Sequence, residues 1–554
     1  MTTYTERPWT RLYSDALPAD ITQDYTTMLD LFEASVTRAP DNVAIKYFDG
    51  VLTMADLDVR SDALAVALID NGFAAGDMLG VYAQNNPAFV ISLVAAWKAG
   101  GAAVAINPMN KRRELAYQLT DSGATALLCL DDLYESVAKE VIATGVTAVR
   151  IVITFSPLDE QSRNDERLFA GVERLRPEGT LDLKEIFSQY DGRKPAPVDP
   201  GSNDLAVLCY TSGTTGVPKG AMSTHGTMAF NSQTYRDWMG FTADDSVLGV
   251  APLFHITGLI GHVGIALLAG CPLVINHRFA PGVVIDAIRE HRPTFTVGAI
   301  TVFISLSGME GVTKQDWSSF RVIYSGGAPI APVVTDRFME KTGLYIHNIY
   351  GLTETNSPSH AVPLGRVAPV DPSSGALSVG VPVFNTVVRI IDVQGKELPV
   401  GEVGEFVTSG PQVIPAYWNK PEATAEDLPD GELHTGDVGF MDEDGWFYLV
   451  DRKKDMINAA GYKVWPREVE DVLYGHPAVR EAAVVGVPDE YRGETVKAYV
   501  SLRAGATVTE QEMIEFCKQQ MAAYKYPRSI EFVDDLPKTV TGKILRRELR
   551  GSNS

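Results

Sequence analysis

A loop rich in glycine and hydroxyl side chains occupies residues 205–220, with the sequence LAVLCYTSGTTGVPKG. An apolar run, which predicts a strand, leads into a loop that contains Thr211, Ser212, Gly213, Thr214, Thr215, Gly216 and Lys219. Glycines allow a close approach of the backbone, and amides, hydroxyls and one ammonium can surround a polyphosphate. Lys219 lies between Pro218 and Gly220, whereas a Walker A loop needs Gly-Lys-Ser/Thr. The pattern therefore predicts a phosphate-binding loop and argues against a kinase or a P-loop ATPase.

Two carboxylates further along the chain could complete a nucleotide site. Glu354, in YGLTET, offers a hard oxygen ligand of the kind that Mg²⁺ prefers. Asp437, in HTGD, has two acceptor oxygens, which suit the two hydroxyls of a ribose. By themselves, these two carboxylates are also compatible with exposed turns.

The elements that must position these residues follow from the hydrophobic pattern. Residues 28–150 alternate amphipathic stretches with short apolar runs, which predicts βαβ units and a largely parallel sheet. The charged, Pro- and Gly-rich passage 156–204 is predicted to be surface structure. We expect an α/β protein with a large N-terminal domain of layered mixed sheets (1–450) and an antiparallel β subdomain near 378–450. A hinge at 451–455 and a small, mobile C-terminal α+β domain at 456–554 complete the predicted organisation.

Composition and charge narrow the class of protein. The 554 residues carry 48 Lys and Arg against 70 Asp and Glu, a net charge of −22, which disfavours nucleic acid as a partner. The four cysteines lie far apart with no CxxC spacing, which disfavours a disulfide framework. The apolar run 263–275 is too short to span a bilayer and contains Pro272. Neither terminus resembles a targeting signal, so we expect a cytoplasmic protein with no integral membrane segment.

The motifs, taken in order, resemble those of the acyl-adenylate-forming enzymes, which include acyl-CoA synthetases, adenylation domains and luciferases. They are YTSGTTGVPKG (210–220), APLFHITG (251–258), YSGGAP (324–329), YGLTET (350–355), ELHTGD (432–437), DRKKD (451–455) and PKTVTGKILRREL (537–549). The stretch 430–454 resembles the longer signature of fatty acyl-CoA synthetases. The resemblance covers essentially the whole chain and implies ATP and Mg²⁺ as cofactors, with CoA as co-substrate.

The resemblance also assigns roles to residues. Lys543 bridges the carboxylate and the α-phosphate, Glu354 and Thr214 bind the metal, and His255 gates the acyl site or positions the carboxylate. The expected ATP and AMP contacts, besides the phosphate loop and Lys543, are Gly327, Ala328, Asn348, Tyr350, Gly351, Thr353, Asp437 and Arg452. The expected acyl contacts are His255, Gly298, Gly326 and Gly351.

A second set of residues belongs to the thioester-forming step that the resemblance implies. Lys454 occupies the position of the family's hinge residue, about which the small domain is expected to rotate. GYKVWPREVE (461–470) resembles the segment that lines the pantetheine tunnel, which makes Gly461 and Tyr462 candidate CoA contacts. Arg278 is a candidate for a CoA phosphate. Asn458 departs from the lysine of several relatives at its position.

The resemblance implies a carboxylic acid as the substrate, and we predict a medium- or long-chain fatty acid. APLFHITG contains no acid that could meet a substrate ammonium, and the stretches 259–270, 297–306 and 324–329 are apolar and rich in small residues. Alternatives are an aryl or alicyclic carboxylate, a ligase that loads a carrier protein, and a luciferase-like oxygenase. A non-catalytic nucleotide-binding protein of the same fold is the alternative from a different class. A homodimer is kept open.

Overall fold

A computed structural model of the chain describes residues 4–14, 17–211, 217–328, 330–372, 375–452, 455–459, 462–489, 493–539 and 543–551. Its strands, in chain order, are β1 (Val43–Tyr47), β2 (Gly50–Thr53), β3 (Met78–Tyr82), β4 (Ala102–Ile106), β5 (Ala126–Leu130), β6 (Ile151–Phe155), β7 (Leu181–Asp182), β8 (Leu205–Tyr210), β9 (Gly220–Thr224), β10 (Val247–Gly249), β11 (Leu273–Ile275), β12 (Phe295–Gly298), β13 (Val322–Ser325), β14 (Ile346–Tyr350), β15 (His360–Ala361), β16 (Val381–Pro382), β17 (Val387–Ile391), β18 (Gly404–Ser409), β19 (Leu433–Met441), β20 (Phe447–Arg452), β21 (Ile457–Ala459), β22 (Tyr462–Val464), β23 (Val479–Asp489), β24 (Gly493–Leu502) and β25 (Ser529–Phe532).

The α-helices are α1 (Met28–Arg38), α2 (Met54–Asp70), α3 (Pro87–Lys98), α4 (Arg112–Ser122), α5 (Asp131–Leu133), α6 (Lys139–Ala143), α7 (Glu166–Phe169), α8 (Leu183–Gln189), α9 (His225–Met239), α10 (Ile256–Gly258), α11 (Ile265–Ala269), α12 (Pro281–His291), α13 (Ile300–Gly308), α14 (Pro332–Thr342), α15 (Pro421–Asp427), α16 (Pro466–Gly475), α17 (Glu510–Gln520) and α18 (Arg546–Gly551). Wider π-helical turns join α5 to α6 (Tyr134–Ala138) and α10 to α11 (Leu259–Gly264).

Two large sheets form the N-terminal part of the chain. The seven-stranded sheet has the order β7-β6-β5-β3-β4-β8-β9 and is parallel except for the β8–β9 hairpin. The nine-stranded sheet has the order β16-β15-β14-β13-β12-β10-β11-β1-β2, and its strands from β14 to β1 run parallel. The predicted α/β class with a largely parallel sheet is therefore confirmed.

Helix α3 lies at the centre of this part of the molecule. Asn86 caps it by accepting from the Ala88 N–H, Pro87 occupies its first turn, and every one of its residues is buried. An apolar sequence on all sides of a helix is typical of such a core position. Lys98, at its last turn, is buried and pairs with Asp58 and Asp62 of α2, each at 2.6 Å, so its charge is compensated inside the core.

The rest of the chain forms two smaller sheets. β17 to β20 make a four-stranded antiparallel sheet within the stretch that predicted antiparallel structure. β21 to β25 make a five-stranded sheet with α16 and α17, and its apolar residues form a core of their own. A large N-terminal and a small C-terminal unit match the predicted architecture, whereas the exact domain bounds stay a prediction.

One expectation of the sequence analysis is wrong in part. The passage 156–204 was expected to be surface structure, but β7 extends the seven-stranded sheet and α8 packs on α2. Leu183, Ile186 and Tyr190 are buried there because α8 presents one apolar face to the core. Among the described residues, none of the helices combines the length and the apolar character needed to cross a membrane.

The four cysteines, Cys129, Cys209, Cys271 and Cys517, are all free and buried. Burial raises the pKa of the Cys271 and Cys517 thiols to about 12, so both thiols are protonated at neutral pH.

Candidate functional site

Most of the predicted site residues of the large domain follow the carboxyl ends of parallel strands in the nine-stranded sheet. His255 comes after β10, Gly298 ends β12, Gly326 follows β13, and Tyr350 ends β14. The register pairs Gly298 with Ser325 and Ser325 with Asn348, which places these strand ends side by side. In open α/β sheets, ligands bind outside this edge.

The predicted phosphate loop connects β8 to β9 as a hairpin. Tyr210 pairs with Gly220, and the Thr211 N–H donates to the Lys219 carbonyl at 2.9 Å, which closes the loop at its base. A strand follows this loop, whereas a Walker A loop leads into a helix. The predicted contacts Ser212, Gly213, Thr214, Thr215 and Gly216 lie outside the described residues.

Lys219 ends the loop with its ammonium held between two partners. Its Nζ forms an ion pair with the Asp427 carboxylate at the end of α15. The same nitrogen lies over the ring of Tyr417, 4.2 Å from the centroid, a distance typical of a cation–π contact. Lys219 is therefore ordered by its protein partners at the position where the loop is expected to meet a polyphosphate.

Glu354 lies just past β14, and Tyr417 donates a hydrogen bond from its hydroxyl to Oε1 of Glu354 at 2.7 Å. The Glu354 carbonyl also accepts from the Ile414 N–H at 2.9 Å, which ties its backbone to the segment between β18 and β19. Burial, with the charge of Glu354, raises the pKa of the Cys209 thiol to about 12, so the carboxylate lies near the end of β8. Glu354 therefore lies between the two large sheets.

The donor chemistry of Glu354 fits a magnesium ion. A carboxylate oxygen is a hard ligand, and Mg²⁺ commonly takes one or two of them beside waters and phosphate oxygens. The described part of the chain contains no group of three or more His, Cys, Asp or Glu residues that could hold a metal ion. A site that combines Glu354 with the oxygens of a bound nucleotide agrees with both facts.

Asp437 and Tyr350 are joined directly. The Tyr350 hydroxyl donates to Oδ2 of Asp437 at 2.8 Å, and Asp437 is 6% exposed. Asp437 lies opposite Arg452 in the β19–β20 ladder, but the Arg452 side chain is outside the described structure. Asp437, the predicted ribose acceptor in β19, therefore lies beside Tyr350, the predicted adenine contact at the end of β14.

Asn348 is occupied by the protein itself. Its side-chain amide donates to the Ser378 carbonyl at 2.9 Å, and the residue is 3% exposed. Of the remaining predicted nucleotide contacts, Gly327 is exposed, whereas Ala328, Gly351 and Thr353 are partly buried beside the strand ends. The role of Asn348 as an adenine contact stays a prediction. In the structure its side chain ties β14 to the backbone at Ser378.

His255 lies near the middle of the chain and Lys543 near its C-terminal end, and the charge of Lys543 acts on the His255 ring. Burial, together with the positive charge of Lys543, lowers the pKa of His255 to about 4. Lys543 belongs to a short hairpin in which Thr539 N–H donates to the Lys543 carbonyl at 2.7 Å and Lys538 pairs with Ile544. The charge of this hairpin lysine therefore reaches the segment after β10, where His255 lies.

The predicted acyl contacts have clear packing constraints. A Cβ at Gly326 would lie 2.4 Å from the Ile349 carbonyl oxygen, and one at Gly298 would lie 2.9 Å from Cγ2 of Val250. A Cβ at Gly351 would meet the backbone of 357–359 at 3.1 to 3.2 Å. Close packing therefore explains these glycines without a ligand, and their acyl role remains a prediction.

The predicted CoA contacts are divided between domains. Arg278 is exposed and follows β11 at the carboxyl edge of the nine-stranded sheet. Tyr462 begins β22 of the small domain, and nothing is described of its side chain. Gly461 and the predicted hinge residue Lys454 lie outside the described residues. The structure brings no two members of this set into a described contact.

Several residues with evident importance were not predicted. Tyr417 and Asp427 hold Lys219 and Glu354, although the run GPQVIPAYWNKPEAT (410–424) resembles an ordinary loop. Arg467 crosses between the domains, since its N–H donates to Asp451 at 3.1 Å and its guanidinium donates to the Leu449 carbonyl at 3.2 Å. Arg546 pairs with Asp451 at 3.1 Å. Arg546 in KILRREL and Arg467 in PREVE, both close to predicted motifs of the small domain, were the sequence features that could have indicated these contacts.

Comparisons with known proteins agree along the whole chain. A model described as AMP-binding enzyme matches residues 32–418, and one described as AMP-binding enzyme C-terminal domain matches residues 468–543. The chain is 36% identical over 566 residues to a long-chain-fatty-acid–CoA ligase of Bacillus subtilis, with 98% of each protein covered.

Solved structures of similar proteins have the same fold. ATP-bound MatB from Rhodopseudomonas palustris has a TM-score of 0.82 and 30% identity, covering 95% of this chain and 98% of its own. The anthranilate CoA ligase AuaEII in complex with anthranoyl-AMP has a TM-score of 0.85 and 26% identity, covering 100% and 99%.

Proposed function

The chain belongs to the AMP-binding enzyme family, and we propose that it is an ATP-dependent acid–thiol ligase. It activates a carboxylic acid as an acyl-AMP and then forms the CoA thioester. The observation that carries this proposal is the linkage at one sheet edge of the groups that such a reaction needs. Lys219 and Glu354 meet through Tyr417, and Asp437 meets the end of β14 through Tyr350.

The reaction joins two anions, so its main requirement is positive charge and alignment. A carboxylate oxygen attacks the α-phosphorus, the bond from that phosphorus to the bridging oxygen breaks, and pyrophosphate leaves with the electron pair. Lys219 suits the departing phosphates, and Lys543 suits the meeting point of carboxylate and α-phosphate. The CoA thiol then releases its proton to water and its sulfur attacks the acyl carbon. The bond from that carbon to the phosphate oxygen breaks, and AMP leaves with the electron pair.

His255 contributes as a neutral hydrogen-bond donor. Its lowered pKa of about 4 keeps the ring uncharged at neutral pH. The Thr257 N–H donates to Nδ1 at 3.3 Å, so the ring proton lies on Nε2. That N–H can hold one oxygen of the acid while the other oxygen attacks phosphorus.

Magnesium would be held by Glu354, with Thr214 as the other predicted ligand. The ion would neutralise phosphate charge, which is its usual part in phosphoryl chemistry. Asp437, oriented by Tyr350, would hold the ribose hydroxyls, with Arg452 beside it on the ladder. These assignments fix the nucleotide against the sheet edge while the acid approaches from the side of His255.

The acid that we propose is a medium- or long-chain fatty acid, since the relative with 98% coverage is a long-chain-fatty-acid–CoA ligase. An aryl acid is the second candidate, favoured by the similarity to an anthranilate CoA ligase. We place the enzyme in the cytoplasm because free, buried cysteines are typical of a reducing compartment. A homodimer is kept as a prediction for light scattering to test.

Pyrophosphate release with Mg-ATP tests the proposal across fatty, aryl and alicyclic acids, each with and without CoA. We expect turnover that requires CoA and yields AMP, with one acid class preferred. Release that does not depend on CoA would favour a ligase that loads a carrier protein. ADP as the product, or no release with any acid, would contradict the proposal.

A further inference from the structure

We propose that Tyr417 is a positioning residue for the adenylation step and that Asp427 is the counter-ion which the nucleotide must displace from Lys219. This inference rests on the proposed function, since it concerns how the enzyme holds Glu354 and Lys219. Neither residue belongs to the motifs that identify the family in this sequence. The contacts around the Tyr417 ring and hydroxyl carry the inference.

Tyr417 is anchored to the strand that follows the phosphate loop. It pairs with Ala221 of β9, the Trp418 N–H donates to the Gly220 carbonyl at 2.8 Å, and the Tyr417 N–H donates to Thr424 at 3.0 Å. The residue is 4% exposed. The backbone at position 417 is therefore fixed relative to the loop, so the ring can serve as a stable reference for other groups.

The hydroxyl of Tyr417 orients the Glu354 carboxylate. It donates to Oε1 at 2.7 Å, while the Glu354 backbone is held by the Ile414 N–H. Outer hydrogen bonds of this kind fix the direction of a metal-binding carboxylate and tune its affinity.

The ring of Tyr417 supports Lys219 while Asp427 neutralises it. The ammonium lies 4.2 Å from the ring centroid and pairs with Asp427, and the Lys219 and Asp427 side chains are each 30% exposed. A phosphate that takes Lys219 must compete with this carboxylate and will be repelled by it. The ring, which carries no net charge, supports the ammonium in both states.

Three variants separate these contributions. Tyr417→Phe keeps the ring and removes the hydroxyl, so kcat for pyrophosphate release should fall about tenfold and half-maximal activity should need more Mg²⁺, with KM for ATP changed less than twofold. Tyr417→Leu removes the ring as well and should also raise KM for ATP. Asp427→Asn should lower KM for ATP by about twofold to fivefold, the range of a partly exposed ion pair.

Tyr448→Phe is the matched control. Tyr448 is also a buried tyrosine whose hydroxyl donates to a carboxylate, that of Asp442 at 2.9 Å, but it lies in β20 within the antiparallel sheet. We expect wild-type kcat, KM and Mg²⁺ dependence from this variant. Thermal unfolding of all variants identifies any that fail to fold, and Tyr417→Phe should fold because the ring stays.

The outcomes that overturn the inference are separable. Wild-type kcat and Mg²⁺ dependence in Tyr417→Phe would remove the role of the hydroxyl, and equal KM values in the Phe and Leu variants would remove the role of the ring. A higher KM for ATP in Asp427→Asn would contradict the role of Asp427 as the counter-ion that ATP displaces from Lys219. Calorimetric binding of Mg-ATP repeats the comparison without turnover, so a wild type that binds but does not react defeats only the proposed function. A wild type that binds no Mg-ATP defeats both.

Discussion

Replacing Gly326 with alanine should weaken the large domain, because the position has no room for a side chain. The added Cβ would lie 2.4 Å from the Ile349 carbonyl oxygen and 2.8 Å from Ile349 Cγ2. Ile349 belongs to β14 and pairs with Ala361 of β15, so its carbonyl cannot withdraw without disturbing the ladder. Overpacking of this kind costs about 1 to 3 kcal/mol, or about 5- to 150-fold in the unfolding equilibrium.

Two other glycines provide the comparison. Gly308 ends α13 in open space, so Gly308→Ala should raise stability by about 0.4 to 1 kcal/mol, because alanine restricts the unfolded chain. Gly327 has a φ of 77° and also faces open space, so Gly327→Ala should cost about 1 kcal/mol through backbone strain alone. The order of stability should be Gly308→Ala, wild type, Gly327→Ala and then Gly326→Ala.

Urea unfolding followed by tryptophan fluorescence measures this order, and pyrophosphate release across the acid panel measures selectivity. We expect Gly326→Ala to unfold at lower urea and, where folded, to keep the acid preference of the wild type. A variant as stable as the wild type but with a changed preference would refute the packing argument. It would then favour the predicted acyl contact at this position.

Three further outcomes are expected. Lys543→Ala should abolish adenylation but leave CoA transfer from a supplied acyl adenylate largely intact. Lys538, in the same hairpin, pairs its ammonium with Glu481 and Asp535, and Lys538→Ala should affect adenylation little. Equal loss of both half-reactions in Lys543→Ala would argue against alternating domain orientations. Asp437→Ala should weaken ATP binding, measured by calorimetry, by about tenfold or more, because charge-assisted hydrogen bonds are strong. An unchanged affinity would contradict the role of Asp437 as the acceptor of the ribose hydroxyls. His255→Asn should change kcat/KM by the same factor at pH 6 and pH 8, because a pKa of about 4 leaves the His255 ring neutral at both. A factor that grows toward pH 6 would show that the protonated imidazole takes part in the reaction.

Local patterns predicted much of the fold. The alternation over 28–150 predicted βαβ units, and the structure has them there, because helices and strands differ in hydrophobic period and in length. The partners of the strands were not predictable in the same way. β1 pairs with β11, more than two hundred residues later, and no local pattern specifies such a neighbour.

The candidate site divides in the same manner. The sequence motifs predicted Glu354 and Lys219 as site residues, whereas Tyr417 was not predicted because its contacts with both join segments that are far apart in the chain. Gly326 was assigned to an acyl pocket because small residues leave room, whereas the structure fills that room with Ile349. The occupied amide of Asn348 was equally invisible, because its partner is a distant backbone carbonyl. The roles of these residues in catalysis stay predictions.

The burial of all four cysteines makes the molecule well suited to distance measurements. A spin label or fluorophore directed at thiols reacts with exposed thiolates, and these side chains are neither exposed nor ionised at neutral pH. Two cysteines introduced on the surface, one in each domain, could therefore be labelled without removing any of the four native cysteines. A change in the separation between the labels when a nucleotide or CoA is added would then test the predicted rotation of the small domain.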